Sequence, residues 1–193
     1  MSSDNKLQTV LLLRHGETQG NRERRYNGAT DEPLCPEGIA ALRAREPLEA
    51  EALYVSPMLR CRQTAELMFP ALRPSVASGL REMDFGAFEG KNHAELKRDA
   101  EYIAWLDGGC EGQTPRGEGK ADFCGRCCAA FAEIMAAERH AVVAFVIHGG
   151  TIMAIMERFA LPRRSYWEWN PPNAGGYVCR WNGAALIDWR ETP

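Results

Sequence analysis

Apolar positions along this chain follow two patterns, one continuous and one periodic. Two runs are continuous: 9–13, leading into Arg14-His15-Gly16-Glu17-Thr18, and 141–147, leading into His148-Gly149-Gly150-Thr151. Aliphatic runs without polar alternation are what a strand covered on both faces requires, as in a parallel sheet between helix layers. Residues 52–55, ended by Ser56-Pro57, predict a shorter buried strand, and 75–77 another. Helical spacing predicts helices over about 38–46, 59–68, 121–138 and 151–159, with prolines at 47, 70 and 162 behind three of them. Residues 18–25 are polar and charged, a short helix or loop. Strand-like residues 177–181 and 184–189 flank Asn182-Gly183, a hairpin signature. Between 80 and 119 the periodicity weakens and Gly and Pro become frequent, the profile of an inserted cap or active-site loops, with one helix over 94–106. Strands alternating with helices, plus one hairpin, predict an α/β three-layer sandwich. Its sheet is mostly parallel but mixed and flanked by helices, in one domain over 1–193 with a cap-like insertion at about 80–119.

Composition narrows the function classes. A chain of 193 residues is long enough for one domain with a substantial core. A net charge of −3 lacks the basic footprint of a nucleic-acid or membrane-surface protein. Residues 1–8 are polar rather than leader-like, and the run 141–147 is too short to span a bilayer, so a cytoplasmic protein is expected. The seven cysteines are odd in number and lack the spacing of a disulfide framework. Cys124, Cys127 and Cys128 share one helix face with Phe123, Phe131, Ile134 and Met135, which reads as an apolar stripe of reduced thiols rather than a zinc site.

Chemistry concentrates where the buried strands end. In open α/β sheets ligands sit beyond the carboxyl ends of the strands, and there the chain places two of its four histidines, His15 and His148. Gly16 allows close approach to the backbone. Arg14 brings a planar fork suited to phosphate oxygens and disfavours protonation of the neighbouring imidazole. Arg60 and Arg62 open the helix at 59–68, where a helix N-terminus favours anions; composition does not separate the two. Leu80-Arg81-Glu82-Met83-Asp84-Phe85-Gly86-Ala87-Phe88-Glu89-Gly90 holds three carboxylates among aromatics, any of which could be an acid–base group. Arg22-Glu23-Arg24-Arg25 reads as a solvated face, His93 and His140 as surface residues, and the five tryptophans as core or rim packing.

Taken together, Leu-Leu-Leu-Arg-His-Gly-Glu-Thr (11–18), Asn21, Ser-Pro-Met-Leu-Arg-Cys-Arg-Gln-Thr-Ala-Glu (56–66), the segment 80–90 and Ile-His-Gly-Gly-Thr (147–151) resemble, in order, the histidine phosphatase superfamily, its phosphoglycerate mutase-like branch. The resemblance implies metal-independent chemistry without a cofactor, through a phosphohistidine. His15 would be the nucleophile; Arg14, Arg60 and His148 would clamp the phosphoryl oxygens, with Asn21 and Gly149 also binding phosphate. Glu82 aligns with the family's proton donor, ahead of Asp84. Tyr26, Asn27 and Gly28 align with residues lining the substrate entrance. Mutases of the family usually carry a longer insertion before the second histidine, which favours a phosphatase. Tyr102-Ile103-Ala104-Trp105, Pro115-Arg116-Gly117-Glu118-Gly119 and Phe123 with Arg126 resemble alpha-ribazole phosphatases, although Gly119 stands where those commonly have Ser. The implied partner is a small phosphorylated metabolite, whose aromatic base could stack on cap residues such as Trp105; a homodimer is left open. The alternatives are a phosphoglycerate mutase-like or sugar phosphatase activity, or a phosphate-binding module without turnover.

Overall fold

The computed structural model describes residues 7–192; the polar start at 1–6 lies outside the described residues. Six strands form one sheet in the order β3-β2-β4-β1-β5-β6. The strands are β1 (Gln8–Arg14), β2 (Ala52–Val55), β3 (Ser75–Val76), β4 (Val142–Ile147), β5 (Gly176–Trp181) and β6 (Leu186–Glu191). β1, β2, β3 and β4 pair in parallel, and β5 and β6 add an antiparallel edge. The continuous apolar runs are explained by the two cores the sheet separates. Val10, Leu12, Val143 and Phe145 face a core with α6 (Lys120–Ala137) and α7 (Gly149–Phe159). Leu11, Leu13, Ala144 and Val146 face the opposite core, with α2 (Pro36–Arg43) and α3 (Leu59–Met68), while the short α1 (Gln19–Arg22) lies between β1 and α2 in the chain. Alternation survives at the level of faces, but both faces are dry, so no polar residue interrupts the strand.

Three expectations about the elements need correction. The helix over 94–106 is two helices, α4 (His93–Leu96) and α5 (Ala100–Asp107). The break follows from caps: Asn92 and Glu95 form a capping box, and Asp99 accepts from the N–H of Glu101 and Tyr102, starting a new helix there. The helix after Cys35 begins at Pro36 rather than 38, because the Cys35 sulfur accepts from Gly38 N–H and proline suits the first helical position. The hairpin turn spans 182–185, not two residues, since Asn182 Oδ1 accepts from both Ala184 and Ala185 N–H.

Between β3 and α6 lie two single 3-10 turns (Ser78–Leu80 and Gly86–Phe88), α4 and α5. Their apolar residues form a separate small cluster of Phe88, Leu96, Tyr102 and Trp105, with Tyr26 and Phe85 packed against it. Trp105 is therefore not a free stacking platform: it is 9% exposed, ringed by Tyr26, Phe85, Phe88 and Tyr102, and its indole N–H donates to Gly112 O. The seven cysteines are free thiols, and Cys127 is buried on α6 with Cys124 and Cys128 packed against the same core.

Candidate active site

The sheet register brings the two histidines together. In the β1–β4 ladder Arg14 sits opposite Ile147, so His15 and His148 follow as neighbours just beyond the paired strands. Their rings lie edge to face with centroids 5.3 Å apart, about the spacing of adjacent strands. Both are essentially buried, at 4% and 0% exposure. His15 Nδ1 lies 2.7 Å from Gly16 O, and a carbonyl only accepts, so Nδ1 carries the proton and Nε2 keeps its lone pair. Desolvation, then the Arg60 and Arg14 charges, hold the His15 pKa well below its ordinary value, and the ring is neutral. His148 is held low for the same reasons, and its Nε2 shares a 2.7 Å hydrogen bond with Ser56 Oγ.

Two guanidiniums share this neighbourhood. Arg14 donates from Nη1 to Pro171 O at 2.8 Å, while its Nε–H is buried without any partner. An unpaired buried donor is costly and calls for an acceptor at that place. The plane of Arg14 packs on Gly149, where a Cβ would stand 3.3 Å from both Cζ and Nε. Arg60, 1% exposed, donates to the carbonyls of Asn27, Gly28 and Thr30, whereas Arg62 is exposed on the outer face of α3. Burial thus separates the two arginines that composition could not. The α3 N-terminus itself is occupied by protein: Asp31 Oδ1 accepts from Leu59 N–H at 2.6 Å. The anion preference of that helix end is met by Asp31, and the arginine side chain alone reaches the cluster.

Glu82 sits where α7 begins. Its Oε2 accepts from Gly150 N–H and its Oε1 from Met83 N–H, each at 3.0 Å. A Cβ on Gly150 would lie 2.4 Å from Glu82 Oε1, so the second glycine of His148-Gly149-Gly150 is what admits this carboxyl. Desolvation pushes the Glu82 pKa up from its ordinary value against those two N–H bonds. Asp84 Oδ1 accepts instead from Gly86 N–H at 2.8 Å. Asn21 presents its oxygen to Thr18 N–H and to Asn173 Nδ2, which fixes its carboxamide with the NH2 end unengaged by those bonds. Asn27 and Gly28 join the cluster through their carbonyls on Arg60, while the Asn27 amide donates to Glu32. Tyr26 points into the small aromatic cluster, its hydroxyl 2.8 Å from that of Tyr102. His93 and His140 are exposed.

Several supporting residues were not singled out by sequence reasoning. Thr64 Oγ1 accepts from Gly16 N–H and donates to Arg60 O, tying α3 to the end of β1. Asn173 and Pro171 come from the turn before β5, a segment whose Asn-Pro-Pro-Asn composition was the only available signal. A cleft of about 210 Å³ adjoins the cluster, lined by Glu82, Met58, Arg81, Asp84, Glu118 and Arg126 among others. A larger hollow, about 900 Å³, lies at the other end of the sheet beside Gln8, Glu51 and Ala141, away from both imidazoles. Among the described residues no three His, Cys, Asp or Glu side chains group as metal ligands would, and no helix is long and apolar enough to cross a membrane.

Neutral imidazoles side by side, a buried and a half-buried guanidinium and a carboxyl at a helix start thus lie in a chain whose sequence and fold match a known family. The chain belongs to the histidine phosphatase superfamily (branch 1), whose profile matches residues 10–187. Among its relatives is a protein from Proteus mirabilis named probable phosphoglycerate mutase GpmB, 34% identical over 150 residues, covering 72% of this chain and 69% of that one. The alpha-ribazole phosphatase from Shigella flexneri superposes with a TM-score of 0.76 at 26% identity, covering 89% of each chain. The phosphoglycerate mutase from Thermus thermophilus gives 0.71 at 28% identity, covering 96% of this chain and 99% of that one. The fold and the family are thus those of phosphatases and mutases.

Proposed function

We propose that the chain is a metal-independent phosphomonoesterase acting on a small molecule through a phosphohistidine at His15. The observation that carries this is the buried, partnerless Nε–H of Arg14 beside a neutral His15 whose Nδ1 proton is fixed on Gly16 O. In the first step the Nε2 lone pair of His15 attacks phosphorus, the bond to the leaving oxygen breaks, and that oxygen takes the proton of Glu82. In the second, water attacks the phosphorus, gives its proton to the Glu82 carboxylate, and the N–P bond breaks. Arg14, Arg60 and His148 surround the transferring oxygens with donors, and Asn21 and the Gly149 backbone complete the phosphate contacts. The one side chain that changes its proton count twice is Glu82, whose raised pKa suits it to start protonated.

For the substrate we infer alpha-ribazole 5′-phosphate. Support comes from the 102–105 and 115–126 resemblance and from the Shigella flexneri neighbour of that name. The cleft beside Glu82 offers room for a leaving alcohol, though with charged rather than aromatic walls. Mutase activity is the second reading, favoured by the names of the GpmB relatives. Steady-state kinetics in excess EDTA decide between them. Hydrolysis of alpha-ribazole 5′-phosphate with a higher kcat/KM than 3-phosphoglycerate supports the first reading. Equal or reversed preference removes that substrate, and strict dependence on added magnesium or manganese removes the mechanism.

A further inference from the structure

Glu89 has no part in the proton transfer or the phosphate contacts just described, yet its carboxylate is saturated by the loops around the site. It accepts from the backbone N–H of Gly28 (3.0 Å), Ala29 (2.9 Å) and Thr30 (3.1 Å), from the Thr30 hydroxyl (2.6 Å) and from Phe85 N–H (2.9 Å). The same stretch of backbone turns its carbonyls the other way. Asn27 O, Gly28 O and Thr30 O accept from the Arg60 guanidinium at 3.2, 3.0 and 2.8 Å. Residues 27–30 are therefore held with N–H groups on an anion and C=O groups on a cation, an arrangement in which each hydrogen bond polarises the next.

We propose that Glu89 is the positioning residue for Arg60, acting through the 27–30 loop. This rests on reading the cluster as a phosphoryl site. Arg60 has five N–H donors; three are directed at the loop, which fixes the plane of the guanidinium and leaves Nε–H and one Nη1–H for phosphoryl oxygens. The loop can approach closely because Gly28 has no side chain: a Cβ there would stand 1.5 Å from Met83 O. The Phe85 N–H bond ties the segment that carries Glu82 to the same carboxylate. One carboxylate thus sets the separation between the arginine that holds phosphate and the strand of chain that delivers the acid.

The test is a double-mutant cycle read by orthovanadate inhibition and by kcat and KM for nitrophenyl phosphate. It uses the wild type, Glu89→Ala, Glu89→Gln, Arg60→Lys and the Glu89→Ala/Arg60→Lys pair. Glu89→Ala is expected to weaken orthovanadate binding about tenfold, the scale of one charge-assisted contact, and Glu89→Gln less because the amide keeps one acceptor oxygen. In the Arg60→Lys background the same change should cost less than about threefold, because groups that act as a unit are non-additive. The loss should be alike for nitrophenyl and alkyl phosphates, since Glu89 acts on the phosphoryl pocket and not on the leaving group. Additive losses, or unchanged orthovanadate affinity with only a lowered melting temperature, would overturn the proposal. If Glu89→Ala does not fold, Glu89→Gln carries the same comparison. A wild type that orthovanadate does not inhibit would refute the phosphoryl-site reading itself, and Glu89's role with it.

Discussion

At the scale of single residues, two groups sit in environments that push them in opposite directions. Burial, Arg60 and Arg14 hold the His15 pKa well below the ordinary histidine value of 6.5, which leaves its ring unprotonated for the nucleophilic role proposed for it. Burial keeps Glu82 protonated above the ordinary carboxyl value, and a bound phosphate dianion adds to that. On the proposed chemistry the signs set the expected profile: activity should fall on the alkaline side as Glu82 loses its proton, and on the acid side only once His15 gains one. Glu82→Gln should lower kcat for alkyl phosphates by about 10²–10⁴, the range of general acid catalysis. Nitrophenyl phosphate, whose phenolate leaves without a proton, should lose far less, and the alkaline limb should vanish. Kinetics on both substrates check this; the same selectivity in Asp84→Asn and not in Glu82→Gln would move the acid to Asp84.

At the scale of elements, short caps decide what long periodicity could not. Asp99 accepts two N–H bonds at the start of α5, which packs Tyr102 and Trp105 into the third cluster. Asp99→Ala should destabilise the protein by about 1 kcal/mol, the usual worth of an N-cap. Its urea midpoint should shift accordingly, with the slope unchanged; an unshifted midpoint would mean that this cap holds nothing. The same residue shows why 94–106 reads as one helix. Apolar spacing runs through Leu96, Tyr102, Ile103 and Leu106, and a side chain competing for backbone N–H groups at Asp99 leaves no trace in that period. The place of Trp105 is hidden in a related way, because an aromatic in a Gly-rich segment does not reveal whether that segment builds its own small core. By contrast β1, β4 and α7 were legible, since strands dry on both faces have only one pattern available.

At the scale of the whole molecule, chain order and spatial order differ in a way that makes the site. β1 and β4 are far apart in sequence but adjacent in the sheet, and their register sets His15 level with His148. The strand-end histidines could be read from the sequence; their adjacency could not, because it depends on β4 inserting between β1 and β2. The outer contacts were less legible still. Pro171 and Asn173 reach Arg14 and Asn21 from a turn beyond α7, and no local pattern links segments so distant. The motif at 80–90 pointed to Glu82 as the proposed acid only through family resemblance, whereas the seat of that carboxyl on Gly150 emerged from the packing of α7 against the loop.

Every step of the proposed chemistry depends on a covalent bond between phosphorus and His15 Nε2. Rapid quenching of the enzyme with a radiolabelled phosphate monoester, followed by peptide mapping, would detect that bond itself. The expected product is a phosphoenzyme that survives alkali and is lost in acid, as a phosphoramidate should be. The label should map to the peptide carrying His15 and be absent from His15→Ala, which should keep the fold and lose turnover. Label on another residue, or His15→Ala retaining more than about a tenth of kcat, a change of only ~1.4 kcal/mol in the barrier, would contradict a nucleophilic His15.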